Sequence, residues 1–96
     1  MPPNRLTQTE IESALSTLDG WSLAGGAIEK EYVLKDFAAA LAFVNAVGAK
    51  AEEADHHPDI LMHGWNKVRI TLSTHSAGGL TELDIRLARV IDSLPR

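Results

Sequence analysis

An α+β domain of order α-β-β-α-β-β-α is what this sequence predicts: a four-stranded antiparallel sheet with helices packed on one face. Three observations carry that prediction. Two capping boxes, Thr7 with Glu10 and Thr81 with Asp84, open helices near the two ends of the chain. Two hairpin signals, Ala24-Gly25-Gly26-Ala27 and Gly64-Trp65-Asn66, stand among apolar residues that alternate with polar ones. Between them lies a long segment with apolar residues at helical spacing.

The first helix begins at Thr7, with Leu6 and Ile11 placed as a hydrophobic staple. Ile11, Ala14, Leu15 and Leu18 form its apolar face, and Gly20 supplies the left-handed residue that ends it near Leu18. Trp21 to Leu23 and Ile28 to Leu34 are the strands of the first hairpin. Ile28, Tyr32 and Leu34 share a face that Lys30 interrupts. Asp36 can accept the free N–H groups of the second helix, whose expected stripe is Phe37, Leu41, Val44, Gly48 and Ala51. Pro58 disfavours helical geometry at His57, so this helix should run out around Asp55 or His56.

Asp59 to His63 and Lys67 to Thr74 are the strands of the second hairpin. In the latter, Val68, Ile70 and Leu72 alternate with Arg69, Thr71 and Ser73, and an unbroken strand would place His75 with the polar set. Gly78 and Gly79 make a loop. The last helix opens at Thr81 with Leu80 and Ile85 as its staple, buries Leu83, Leu87, Val90, Ile91 and Leu94, and stops before Pro95.

With 96 residues, residues 1–96 are expected to be one domain around a single modest core. The 45% hydrophobic and 23% charged content is that of a globular protein. A net charge of -4 with nine Lys and Arg argues against direct nucleic-acid binding, which depends on cationic contacts to phosphates. Cysteine is absent, which excludes disulfides and thiolate metal sites. No apolar run approaches the length of a membrane span, and Met1-Pro2-Pro3-Asn4-Arg5 lacks the apolar core of a signal peptide. A cytoplasmic location is the expectation, with no membrane partner.

The chemistry gathers in Glu52, Asp55-His56-His57-Pro58, Ser73-Thr74-His75 and Asp84. If the second helix persists to His56, Glu52 lies one turn back, where its carboxylate can orient that ring and favour its charged form. Two imidazoles at the mouth of a cleft, one donating and one accepting, suit a reaction that adds one proton and removes another. Dehydration of a carbinolamine is such a reaction.

Each residue also has a plainer reading. His56 and His57 can cap a helix C-terminus, where the macrodipole favours a cation. His75 can be a strand-end residue, Asp84 a helix cap, Glu52 a solvated helix residue, Trp65 a core or hairpin aromatic and His63 a loop residue. A metal site on His56, His57, His63 and His75 is a third reading, although adjacent histidines seldom point at one ion and no HExxH spacing occurs.

The whole string of Glu52, His56-His57-Pro58, Trp65, His75 and Asp84 closely resembles the signature of pterin-4a-carbinolamine dehydratases. The similarity runs from Gly20 to Ile91 through Gly20-Trp21, Lys35-Asp36-Phe37, Asn66-Lys67-Val68, Ile70-Thr71-Leu72-Ser73-Thr74-His75, Gly79-Leu80-Thr81, Asp84-Ile85 and Leu87-Ala88. The resemblance implies an enzyme that removes water from 4a-hydroxytetrahydropterin, the product of aromatic amino-acid hydroxylases, and yields the quinonoid dihydropterin. It implies that His56, His57 and His75 are the catalytic, pterin-contacting imidazoles, with Glu52 and Asp84 supporting them and Asp55, Pro58, Ser73 and Thr74 lining the pocket. It implies no metal and no redox cofactor. Family members form dimers, or tetramers made from dimers, and some also serve as a dimerisation cofactor for a homeodomain transcription factor. The chain departs from the family pattern at Glu29, where an aromatic is common, and at Trp65, where tyrosine is. The hairpin Ile60-Leu61-Met62-His63-Gly64 is one residue longer than in animal members.

Overall fold

A computed structural model describes residues 4–96. Met1 to Pro3, which head the segment read as lacking a signal-peptide core, lie outside the described residues. The chain runs α1 (Gln8–Leu15), β1 (Ser22–Ala24), β2 (Ala27–Val33), α2 (Phe37–Ala54), β3 (Asp59–His63), β4 (Lys67–Leu72) and α3 (Glu82–Asp92), with a 3₁₀ turn at His75–Ala77. This is the expected α-β-β-α-β-β-α order, and all strand pairings are antiparallel in the sheet order β1-β2-β4-β3.

β2 and β4 lie at the centre, where each pairs on both sides and β4 alternates strictly between buried and half-buried residues. Ile28 and Tyr32 pair with Leu72 and Val68, and all four are buried together with Ile70, while Glu31 and Arg69 pair on the opposite, open face. The buried apolar residues of α2 and α3 join the same cluster. From α3 these are Ile85, Leu87, Ala88 and Ile91. Removing a fully buried side chain such as Ile70 would cost about 2–5 kcal/mol, the usual penalty of lost burial plus a cavity.

Both capping boxes form: the Thr7 and Thr81 hydroxyls accept from backbone N–H groups, and the Glu10 and Asp84 carboxylates reach back to the cap N–H groups. The Asp36 carboxylate accepts from Ala39 N at 2.8 Å and starts α2. At the other end Asp55 adopts φ 50°, and a Schellman pair closes the helix: Asp55 N–H donates to the Glu52 carbonyl and His56 N–H to the Ala51 carbonyl. The positive φ turns the chain sharply just before the paired histidines.

Three expectations change. α1 stops at Leu15 rather than near Leu18, because the Ser16 and Thr17 hydroxyls bond back to the Ser13 and Ala14 carbonyls and compete with the helical ladder. Leu18 is buried all the same. β4 stops at Leu72 rather than Thr74: Thr74 pairs with Gly79 in an isolated bridge, and the turn between them carries His75 out of the sheet. The stripe of α2 is rotated, so that Ala40, Phe43, Val47 and Ala51 are buried while Phe37 and Leu41 are exposed. This helix is apolar on more than one side, so spacing alone did not select the inward face.

Candidate active site

The Schellman turn sends two adjacent histidines in different directions. His56 folds inward, 9% exposed, and its Nε2 lies 2.6 Å from Asp84 Oδ1. Asp84 is completely buried. Its other oxygen accepts from the Thr74 hydroxyl at 2.8 Å and from Thr81 N–H at 2.9 Å, and the Thr74 and Thr81 hydroxyls touch at 2.8 Å. The helix-capping carboxylate of α3 is therefore also the partner of an imidazole from the end of α2.

His57 faces outward, with its Nε2 2.5 Å from Glu52 Oε2. The hydrogen bond to that carboxylate holds the His57 imidazolium above its ordinary pKa; desolvation opposes it, and the negative charge of Glu52 and Asp55 adds to the rise. Glu52 thus pairs with His57, not with His56 as the helical spacing suggested. The helix ends before His56, and the left-handed Asp55 swings the next residue but one back over the last turn.

His56, His57 and His75 line one cleft of about 350 Å³, together with Asp55, Asp59, Ser73, Thr74, Ser76 and Leu83. Asp84 stands behind His56, and Glu52 flanks His57 from outside the lining. Pro58 is half-buried next to the cleft without lining it. A second depression of about 380 Å³, between α2 and α3, meets the first at His56 and Leu83. Trp65 takes no part: it is 60% exposed in the β3–β4 turn at φ 59°.

His63 lies apart from the other three histidines, on the open face of the sheet, where it bonds Glu31, a residue that also meets Arg69 at 3.3 Å. His63 and then Arg69 hold the Glu31 carboxyl below its usual value. The four histidines therefore do not converge, and among the described residues no group of three or more His, Asp or Glu side chains is placed to hold a metal ion.

Sequence reasoning missed Asp59, Ser76 and Leu83 as lining residues and Thr81 as part of the buried network. Leu83 had been assigned to the core by helical spacing, and it is half-buried at the cleft instead. Thr81 was legible as a cap, but nothing in its spacing pointed to Thr74.

Fold and cleft define a class of small α+β protein in which histidines from distant segments face a single cavity, two of them held by carboxylates behind or beside it. The chain belongs to the family described as pterin 4 alpha carbinolamine dehydratase, whose profile matches residues 4–94. It is 46% identical over 90 residues to a Sulfurisphaera tokodaii protein that bears the pterin-4-alpha-carbinolamine dehydratase name, covering 94% of this chain and 96% of the relative. Among solved structures it resembles a transcriptional coactivator/pterin dehydratase from Brucella melitensis, with a TM-score of 0.88, 42% identity and coverage of 94% of this chain and 97% of that one. It also resembles a pterin dehydratase-like RuBisCO assembly factor of the alpha-carboxysome, with a TM-score of 0.61, 27% identity and coverage of 76% and 83%. No helix among the described residues is long and apolar enough to cross a membrane.

Proposed function

We propose that this chain is a dehydratase that converts 4a-hydroxytetrahydropterin to the quinonoid dihydropterin and water by histidine acid–base catalysis. The observation that carries the reading is the meeting of His56, His57 and His75 in one cleft, two of them with carboxylate partners. Family membership supports the substrate class.

His57, kept protonated by Glu52, donates from its remaining N–H to the departing 4a-hydroxyl. His56, held by Asp84 through Nε2, uses Nδ1 to accept the proton from N5 of the pterin, and Asp84 stabilises the imidazolium that forms. The C4a–O bond breaks as the N5 electron pair closes a C4a=N5 bond, water leaves, and solvent exchange resets the two rings. His75 binds the ring edge. Water elimination changes no oxidation level, so the step calls for no redox cofactor. The product would return to an aromatic amino-acid hydroxylase after reduction, and we read the working form as a cytoplasmic homo-oligomer.

The test is to add purified protein to freshly generated carbinolamine and follow its ultraviolet absorbance. Loss faster than the spontaneous rate is expected, and an unchanged rate overturns the reading. A second reading, a partner-binding protein that keeps the fold, draws on the coactivator and assembly-factor names of the two structural neighbours. It predicts a folded protein with no dehydration above background.

A further inference from the structure

Thr81 lines neither depression beside His56, yet it is completely buried beside the carboxylate that holds that ring. Hydrogen counting gives its contacts a direction. The Thr74 hydroxyl donates its one hydrogen to Asp84 Oδ2. Its 2.8 Å contact with the Thr81 hydroxyl must then be donated by Thr81. The Thr81 oxygen in turn accepts from Leu83 N–H at 3.2 Å, a free donor of the first turn of α3. The chain runs in one sense, from Leu83 N–H through Thr81 and Thr74 to Asp84, and Asp84 Oδ1 is left facing His56 Nε2. No buried side-chain nitrogen or oxygen among the described residues lacks a partner, so removing one hydroxyl of this network would leave a neighbour in need of another.

We propose that Thr81 is a positioning residue for the candidate acid–base site. Through Thr74 it holds the Asp84 carboxylate with Oδ1 towards His56, and that acceptor keeps the His56 proton on Nε2 and leaves Nδ1 for the reaction. An ordinary helix cap needs only its bond to the backbone. Here the same hydroxyl also donates to Thr74, and that second bond has no capping purpose. Its catalytic consequence rests on the dehydratase reading, whereas its effect on the His56 ring can be read in the free protein.

The experiment compares Thr81→Val, Thr81→Ser and Thr74→Val with the wild type. In ¹⁵N-labelled protein without substrate, the hydrogen-bonded Nε2–H of His56 should give a sheltered, slowly exchanging signal. Both Val variants should lose it to exchange, and Thr81→Ser should keep it. In turnover, Thr81→Val should lower kcat about tenfold with KM unchanged, and Thr81→Ser should restore it. Thr74 lines the cleft, so Thr81 is the cleaner test, and Thr74→Val reports on the ring signal if Thr81→Val does not fold. A signal that persists in the variants overturns the proposal. So does a Thr81→Val protein of lowered melting temperature but wild-type kcat, which would reduce Thr81 to a cap. Failure of every form to dehydrate the carbinolamine would overturn the dehydratase reading instead and leave the ring signal to decide the role of Thr81.

Discussion

Glu52 and His57 are hydrogen-bonded at 2.5 Å across the C-terminal turn of α2, and the left-handed Asp55 between them makes that contact possible. The pair sets a pH dependence. His57 is raised above the ordinary imidazole value of about 6.5 by its bond to Glu52, so the acid form persists to higher pH and is lost as pH rises through the shifted value. The alkaline limb of kcat should therefore lie above that of a free imidazole, and Glu52→Gln should move it to lower pH. The accompanying stability has the same sign, present at low pH and lost as pH rises, but both side chains are exposed and it is small. A pH–rate profile on both proteins checks the prediction, and an unmoved limb contradicts it.

Asp84→Asn separates tautomer from packing. The amide oxygen can still accept from Thr81 N–H, but the amide N–H₂ offers His56 a donor where the carboxylate offered an acceptor, which reverses the tautomer of the ring. Turnover should fall by roughly a hundredfold or more, while folding stability drops by only about 1–3 kcal/mol for the disturbed buried bonds. Steady-state kinetics beside thermal melting measure the two effects. Retention of turnover would remove Asp84 from the mechanism.

These two contacts differ in how legible they were. The elements followed from local chemistry, because Thr7, Asp36 and Thr81 cap helices through neighbours two or three residues away. The face of β4 followed from strict alternation, and that of β2 from Ile28 and Tyr32 on either side of the interrupting Lys30. The inward face of α2 did not, because Phe37 and Leu41 are as apolar as Phe43 and Val47 and only the sheet decides between them. The partner of His57 depended on one positive φ at Asp55, and the bond from Thr74 to Asp84 on a bridge to Gly79 that breaks the strand pattern. The resemblance brought the histidines together before any geometry did, whereas the Thr81 relay left no trace in spacing.

Trp65 belonged to the signature string, but its place is the tip of a hairpin with φ 59°, a conformation costing a side chain about 1–2 kcal/mol that asparagine tolerates better. Trp65→Asn should thus leave dehydration within about twofold and keep or raise the melting temperature, since only a partly exposed indole is lost. A drop in kcat would place this turn at the site by some route the single chain does not show, and paired activity and melting measurements decide it.

Asp92, at the far end of α3 from Asp84, carries the other dense polar cluster. Its carboxylate accepts from Trp21 Nε1 at 3.1 Å, Lys30 Nζ at 2.9 Å and the Tyr32 hydroxyl, tying the end of the helix to the first hairpin. Lys30, which interrupted the apolar face of β2 in the sequence, is explained by this contact. Burial pushes the Asp92 carboxyl up, but the bonds from Tyr32, Lys30 and Trp21 outweigh it and hold the group below its ordinary value. Burial and the same carboxylate push the Tyr32 hydroxyl well up, so it remains a donor throughout the working range. Asp92→Ala leaves the Trp21 and Tyr32 donors without their acceptor and Lys30 with only the Asp19 carbonyl, and should cost about 2–4 kcal/mol, or roughly 10–20 °C in melting temperature. Because the folded carboxyl is depressed, its contribution is present above the unfolded value near 3.8 and is lost as pH falls through the lower folded one. The stability gap between wild type and Asp92→Ala should therefore be full at neutral pH and shrink in acid. Denaturant melts followed by the fluorescence of the buried Trp21 measure it, and a gap that widens in acid would contradict the ionised role assigned to Asp92.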